Sequence, residues 1–392
     1  MAVDREAVTQ TQSTAPAPRA NPDLVGHEAA ERELERLFRA GRLPHAILLA
    51  GPRGIGKATL AFRFARFVLA QGDDMLGQGD DMPTQGDPAA AAVGGDAAGQ
   101  SGLAIAADSG VFRRVAAAGH ADLLTVERAW DPRRRRLRGE IVIDDVREII
   151  GFFRLTAAEE GWRVVVVDGA EEMNRSAANA LLKIIEEPPD RGLLLLVSHN
   201  PGRVLPTIRS RCRQLRLMPP SQDLAARLVR HYRPRLDAAE AASLAALCGG
   251  SIGQALGLAD SGGFALYRTL LEILSTVPEL DVPRLHAFAD RLVRSDADDA
   301  YRVTEELLLQ LVARLATTRI ATALGPESDI VAGERALLQN LGDRALGDRA
   351  ERGRWAALHA KIADDFAAAD GLNLDRRQTL LGVFFAIAEA AR

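Results

Sequence analysis

Thirteen residues, Ala46 to Ala58, restrict the possible folds more than any other part of this chain: the apolar run Ala46-Ile47-Leu48-Leu49-Ala50 passes directly into Gly51-Pro52-Arg53-Gly54-Ile55-Gly56-Lys57-Ala58. An unbroken apolar run of this length fits a strand covered on both faces. The pattern G-x-x-x-x-G-K-[S/T] turns such a strand into a helix while presenting backbone N–H groups to phosphates. Its lysine reaches the β and γ oxygens, and its hydroxyl ligates Mg²⁺. Here Gly51, Gly54, Gly56 and Lys57 are in place, and the hydroxyl position holds Ala58. Thr59 does not substitute, because one step along a helix turns a side chain by about 100°.

Strand-like and helix-like patterns then alternate, which calls for a parallel sheet wrapped by helices. Thr59 to Leu69 carries apolar and basic residues at helical spacing. Val164 to Val167 and Leu193 to Val197 are continuous apolar runs. Between those runs, Ser176 to Glu187 reads as a helix that Ser176 caps and Pro188-Pro189 stops. From about Pro219 the strand signals cease. Residues 219–262 read as a small helical module and 263–392 as a larger one, where Trp355, Leu358, Ile362 and Phe366 share one helical face and Tyr267, Leu270, Leu271 and Leu274 another. Such stripes are expected to form a bundle core.

Two stretches fall outside this pattern. Residues 1–20, rich in Ala, Pro, Thr and Gln, read as a disordered tail. Residues 71–112 contain the echo Gln71-Gly72-Asp73-Asp74-Met75, Gln78-Gly79-Asp80-Asp81-Met82 and Gln85-Gly86-Asp87, and read as a low-complexity insertion within the sheet domain of 21–218.

The net charge of -4 argues against a globally basic nucleic-acid binder. With two cysteines, Cys212 and Cys248, the chain cannot build a four-cysteine zinc module, and no secretory signal precedes them, so reduced cytoplasmic thiols are expected. No apolar run approaches a membrane span. Three lysines stand among 49 basic residues, and one of them, Lys57, occupies the ammonium position of the loop.

Val164 to Asp168 ends a strand in the acid that a phosphate-loop enzyme uses to hold Mg²⁺ through water. The next residue is Gly169, where a hydrolase needs a water-activating glutamate. Glu171 and Glu172 follow and read as solvated helix-start charges. Arg133-Arg134-Arg135-Arg136-Leu137-Arg138 lies between Leu123–Val126 and Glu140–Ile143, both strand-like, and reads as a solvated hairpin turn in preference to a contact with DNA phosphates, since it lacks interleaved aromatics for base stacking.

Five strings together resemble the bacterial clamp-loader subunits of the AAA+ family: NPDLVGHEAAERELERLFRAGRLPHAILLAGPRGIGKATLA, HADLLTVER, VVVVDGAEEMNRSAANALLKIIEEPP, TIRSRC and GLNLDRRQTLLGVFF. The resemblance implies an AAA+ P-loop α/β domain, a helical lid over 219–262 and a helical collar for oligomerisation over 263–392. It also implies membership of the DNA polymerase III holoenzyme, with delta and gamma or tau subunits, the sliding clamp and primed DNA as partners. Ser210-Arg211-Cys212 matches the family's S-R-C motif, making Arg211 an arginine finger for the ATP site of an adjacent subunit. Gly250-Ser251-Ile252-Gly253-Gln254-Ala255-Leu256 resembles the lid segment G-S-x-R-x-A-L, with Gly253 where the nucleotide-sensing arginine belongs. With hydroxyl, glutamate and lid arginine all missing, no autonomous ATPase is expected. Leu24-Val25-Gly26-His27 resembles the segment that packs near adenine, which leaves weak or structural ATP or ADP binding at Gly51, Gly54, Gly56, Lys57 and Asp168 open. No cofactor is required, and zinc is expected to be absent, since the place of the family's zinc module holds the Gln-Gly-Asp insertion. Two rival readings stand beside this one: an active motor ATPase, and a purely structural adaptor.

Overall fold

The computed structural model describes residues 15–76, 102–131, 136–155, 161–294, 297–322, 329–331, 333–344, 352–372 and 374–392. It divides into two compact units. Of the described residues, one comprises those within 15–225 and 250–253, the other those within 226–249 and 254–392.

The first unit is built on a parallel sheet. Strands β1 (Ala46–Ala50), β2 (Leu123–Val126), β5 (Arg163–Asp168), β6 (Gly192–Ser198) and β7 (Arg213–Arg216) lie in the order β2-β5-β6-β1-β7, and every pairing among them is parallel. Successive residues of a strand point to opposite faces, and the core divides accordingly. On one face Ile47, Leu49, Val164, Val166, Leu193 and Leu195 pack with Leu60, Phe64 and Val68 of α2 (Lys57–Leu76). On the other, Leu48, Val165, Val167, Leu194 and Leu196 meet Val146 and Ile149 of α4 (Ile143–Arg154), with Leu181 and Ile185 of α5 (Arg175–Glu186). Helix α1 (Glu28–Arg39) adds Leu34 to the first face. The expected α/β class holds, with the strands at β1, β5 and β6 where the apolar runs placed them.

Several local expectations are corrected. The tail expected over 1–20 is ordered at its end: Pro18–Ala20 forms a 3-10 turn, and the guanidinium of Arg66 donates to the carbonyls of Arg19 and Asn21, both at 2.8 Å. The insertion expected over 71–112 is narrower. Helix α2 continues to Leu76, Leu103 is buried, and Ser109 caps α3 (Gly110–Ala116), which buries Val111, Phe112 and Val115. Residues 77–101, with most of the Gln-Gly-Asp echo and the place considered for zinc, lie outside the described residues.

Asn174, rather than Ser176, caps α5, its side chain accepting from the Ala177 N–H. Asparagine accepts this bond as well as serine does, and its position starts the helix one residue earlier. The hairpin around the arginine run pairs β3 (Trp130–Asp131) with β4 (Arg136–Leu137). Leu123–Val126 is instead committed to the main sheet beside β5, and Ile143 opens α4. Arg133–Arg135 lie outside the described residues.

The second unit is helical. The division between units runs through α7 (Gln222–Tyr232) and α9 (Ile252–Asp260), so residues of the expected lid are shared between the two units. Helices α8 (Ala238–Leu247), α10 (Gly263–Leu274), α11 (Val282–Leu292), α12 (Asp298–Thr322), α13 (Glu334–Arg344), α14 (Arg352–Leu372) and α15 (Arg376–Ala390) follow, and α12 packs on both α14 and α13. Trp355, Leu358, Ile362 and Phe366 are buried along α14, and Tyr267, Leu270, Leu271 and Leu274 along α10, as the stripes require. A buried carboxylate joins three of these helices. Glu334 accepts from the Tyr267 hydroxyl, pairs with Arg314, and takes the backbone N–H groups of Ile330 and Val331 at 3.1 and 3.3 Å. Burying a carboxylate is tolerable because this one is paired and hydrogen-bonded. Among the described residues no single helix is long and apolar enough to cross a membrane.

Candidate functional site

In a parallel sheet all strands end on the same side, and the glycine loop leaves β1 there. Around it gather Asp168 from the end of β5, Ser198 and His199 from the end of β6, and Lys57 at the start of α2. Glycine at position 51 is sterically required, since a Cβ would lie 2.4 Å from the Leu217 carbonyl oxygen. Gly54 and Gly56 take φ of +76° and +102°, the left-handed region that glycine reaches without strain. The structure thus brings Gly51, Gly54, Gly56, Lys57 and Asp168 together at one end of the sheet.

The loop is engaged by its own chain. Lys57 is buried, and its ammonium donates to the Pro52 carbonyl. The Ser251 hydroxyl donates to the Arg53 carbonyl at 2.7 Å, and the Gly253 N–H to the Gly54 carbonyl at 2.8 Å. A Cβ on Gly253 would stand 3.0 Å from Gly54 Cα. Here the backbone of residue 253 rests on the loop, leaving no room for the side chain of a nucleotide-sensing arginine. On another side of the loop, His27 donates through Nε2 to the Ile55 carbonyl at 2.6 Å, which seats the segment Leu24 to His27.

Charge in this cluster is costly. Burial pushes the Lys57 ammonium down to about 8 against the pull of Asp168, and burial pushes Asp168 up to about 6, with Glu127 adding to the rise and Lys57 opposing it. Burial, joined by the charge of Lys57, pushes His199 down to about 4. Asp168 Oδ1 has no hydrogen-bond partner among the described residues. Glu171 is not the solvated charge the sequence suggested. Its Oε1 accepts the backbone N–H groups of His199 at 2.8 Å and Asn200 at 3.2 Å, tying the exit of β5 to the exit of β6. Burial works against its ionisation, but those backbone N–H donors and its own outweigh burial and hold the carboxyl below its ordinary value.

Two groups that a Mg²⁺-nucleotide hydrolase uses are replaced at this loop. Ala58 offers no ligand, Gly169 no base, and the carbonyls of Arg53 and Gly54 are already paired with residues 251 and 253.

Arg211 belongs to the opposite end of the sheet. Strand β7 runs parallel to β1, with Ile47 opposite Arg213 and Ala50 opposite Arg216, so α6 (Pro206–Arg211) delivers Arg211 ahead of the strand starts. From Ile47 to Gly51 the strand rises about 13 Å, which separates the level of Arg211 from that of the chain's own loop. The Arg211 side chain is 44% exposed. Its Nε lies 3.0 Å from Glu186 Oε1, and its Nη1 donates to the Thr207 carbonyl at 3.3 Å. Cys212 beside it is buried.

A P-loop α/β sheet followed by a helical part is the architecture that the resemblance to AAA+ subunits implied, and Arg211 lies at the sheet end away from the loop. Residues 101–221 match the family model described as DNA polymerase III, delta subunit. The DNA polymerase III subunit delta' of Pseudomonas aeruginosa is 37% identical over 207 residues, which are 53% of this chain and 53% of that protein. The Escherichia coli subunit delta' is 37% identical over 142 residues, 36% of this chain and 42% of that protein. The gamma/tau subunit of Mycobacterium tuberculosis is 28% identical over 294 residues, 73% of this chain and 45% of that protein. The chain thus spans about half the length of the curated relatives it matches. The resemblance to bacterial clamp-loader subunits read from the sequence is borne out, and identity is higher to delta' than to gamma/tau.

Three contacts around the candidate site residues escaped the sequence reading: Glu186 on Arg211, His45 on the end of α5, and Ser251 on the loop. Each joins residues remote in sequence, and nothing in local pattern signals such pairs.

Proposed function

We propose that this chain is a delta'-type subunit of a bacterial DNA polymerase III clamp loader, working in the cytoplasm with delta and gamma or tau subunits on the sliding clamp and primed DNA. It does not turn over ATP itself and supplies Arg211 to the ATP of an adjacent subunit. Phosphoryl transfer spreads negative charge over the γ-phosphate oxygens, and a guanidinium delivered from a neighbour stabilises that charge. The observation that carries this reading is the placement of Arg211, exposed and at the sheet end away from its own loop. The delta' and gamma/tau relatives support the assembly named here. The loop at Lys57 serves as a scaffold, with ATP or ADP binding there weak and structural. The reading needs no cofactor and no zinc on this chain.

The test is reconstitution with delta and gamma or tau, comparing wild type with Arg211→Ala for DNA-stimulated ATPase and clamp loading. Both are expected to fall with the variant. Rates equal to wild type in both assays would leave the purely structural adaptor. Turnover by the isolated chain, lost in Lys57→Ala, would establish the motor ATPase instead.

A further inference from the structure

The surroundings of Arg211 contain a second residue for the same task. Helix α5 leaves β5 at the loop end of the sheet and returns the chain to the start of β6, so its last turn lies at the end where Arg211 emerges. That last turn is anchored: His45, the residue before β1, donates through Nε2 to the Ile185 carbonyl at 2.8 Å. The bond satisfies one of the carbonyls that every helix end leaves open. The next residue, Glu186, then stands with its Oε1 3.0 Å from Arg211 Nε.

We infer that Glu186 is the positioning residue for Arg211, fixing the guanidinium at the subunit surface so that it meets a neighbour's phosphate already ordered. An arginine free in solvent samples many rotamers, and docking it on a phosphate requires them to be lost at that moment. Two contacts on this side chain, the Glu186 carboxylate at Nε and the Thr207 carbonyl at Nη1, remove much of that freedom beforehand. The open C-terminal carbonyls of α5 add partial negative charge on the same side. A guanidinium has five N–H donors, so these contacts leave others for phosphate oxygens. Both partners are about half exposed, at 44% and 49%. The effect is therefore that of a surface ion pair, a few-fold in rate. This inference rests on the trans role of Arg211 proposed above.

The experiment is a double-mutant cycle in the reconstituted clamp loader with full-length chain: wild type, Glu186→Ala, Arg211→Ala and the double variant, with Glu186→Asp as the conservative control. The expected result is a drop of about three- to fivefold in kcat for DNA-stimulated ATPase with Glu186→Ala, an unchanged KM for ATP and unchanged assembly by native mass. Glu186→Asp restores part of the loss, and Glu186→Ala has no further effect when Arg211 is already alanine. An equal loss in both backgrounds would mean that Glu186 serves only structure and would overturn the inference. So would wild-type kcat in Glu186→Ala alongside a clear drop in Arg211→Ala. An Arg211→Ala variant with wild-type kcat would remove the trans arginine itself, a different failure that takes this inference with it.

Discussion

The two ends of the sheet treat their charged groups in opposite ways. At the loop end Lys57 is buried and turned onto the Pro52 carbonyl, Asp168 is driven toward neutrality, and Ser251 and Gly253 bind the loop carbonyls. At the other end Arg211 stands half exposed on a single turn and a half of helix, held by a carboxylate that is itself half exposed. A P-loop fold carries two places where a nucleotide can be met, its own loop and the neighbour-facing end. This chain ties carbonyls of the first to its own residues 251 and 253 and keeps Arg211 at the second in contact with solvent.

If that contrast is right, damage at the loop end appears as stability and damage at the Arg211 end as turnover of the assembly. The largest effect is expected for Gly51→Ala, whose Cβ would meet the Leu217 carbonyl oxygen at 2.4 Å. Overpacking of this kind costs about 3 kcal/mol, read as a lower Tm in scanning calorimetry, and a Tm equal to wild type would show the loop to be slack. Next is Asp168→Asn. The carboxyl is raised from 3.8 to about 6 in the folded chain, so the native state holds its proton more tightly than the unfolded state. Stability from this group is present below pH 3.8 and lost as pH rises through 6. Asparagine has no proton to lose, so the variant should exceed wild type by an amount of order 2 kcal/mol at pH 8, a gap that urea titrations should find closing in acid. A variant less stable than wild type at pH 8 would mean that the ionised carboxylate is needed there.

Arg211→Ala comes third, with a roughly tenfold fall in assembly kcat, or about 1.4 kcal/mol of transition-state stabilisation. Circular dichroism of the free chain should not change. The smallest effect is expected for Lys57→Ala, less than about twofold on the same assembly kcat. A loss matching that of Arg211→Ala would erase the contrast between the two ends.

Much of the sheet unit could be read in advance because its signals are local. Val164–Val167 of β5 and Leu193–Val197 of β6 are apolar throughout since helices cover both faces, and the glycines of the loop stand at fixed spacing. The helical stripes at Tyr267 and Trp355 were visible for the same reason. What stayed hidden is pairing across distance. Glu171 looked like a solvated helix-start charge because only the fold brings the N–H groups of His199 and Asn200 to it. Gly253 could be seen as a missing arginine, but its backbone bond to Gly54 could not be seen at all. The ordered end of the N-terminal tail depends on buried arginines of α2, Arg63 and Arg66, reaching backbone carbonyls that composition does not reveal.

The seat of residues 250–253 on the loop also governs how this polypeptide can be divided. Those four residues belong to the sheet unit although the chain on either side of them belongs to the helical one. A fragment ending at residue 225 would include every strand of the sheet yet leave the carbonyls of Arg53 and Gly54 without the donors Ser251 and Gly253. The nucleotide-type domain is therefore not a removable cassette: its boundary is stitched, and a linear cut draws it in the wrong place.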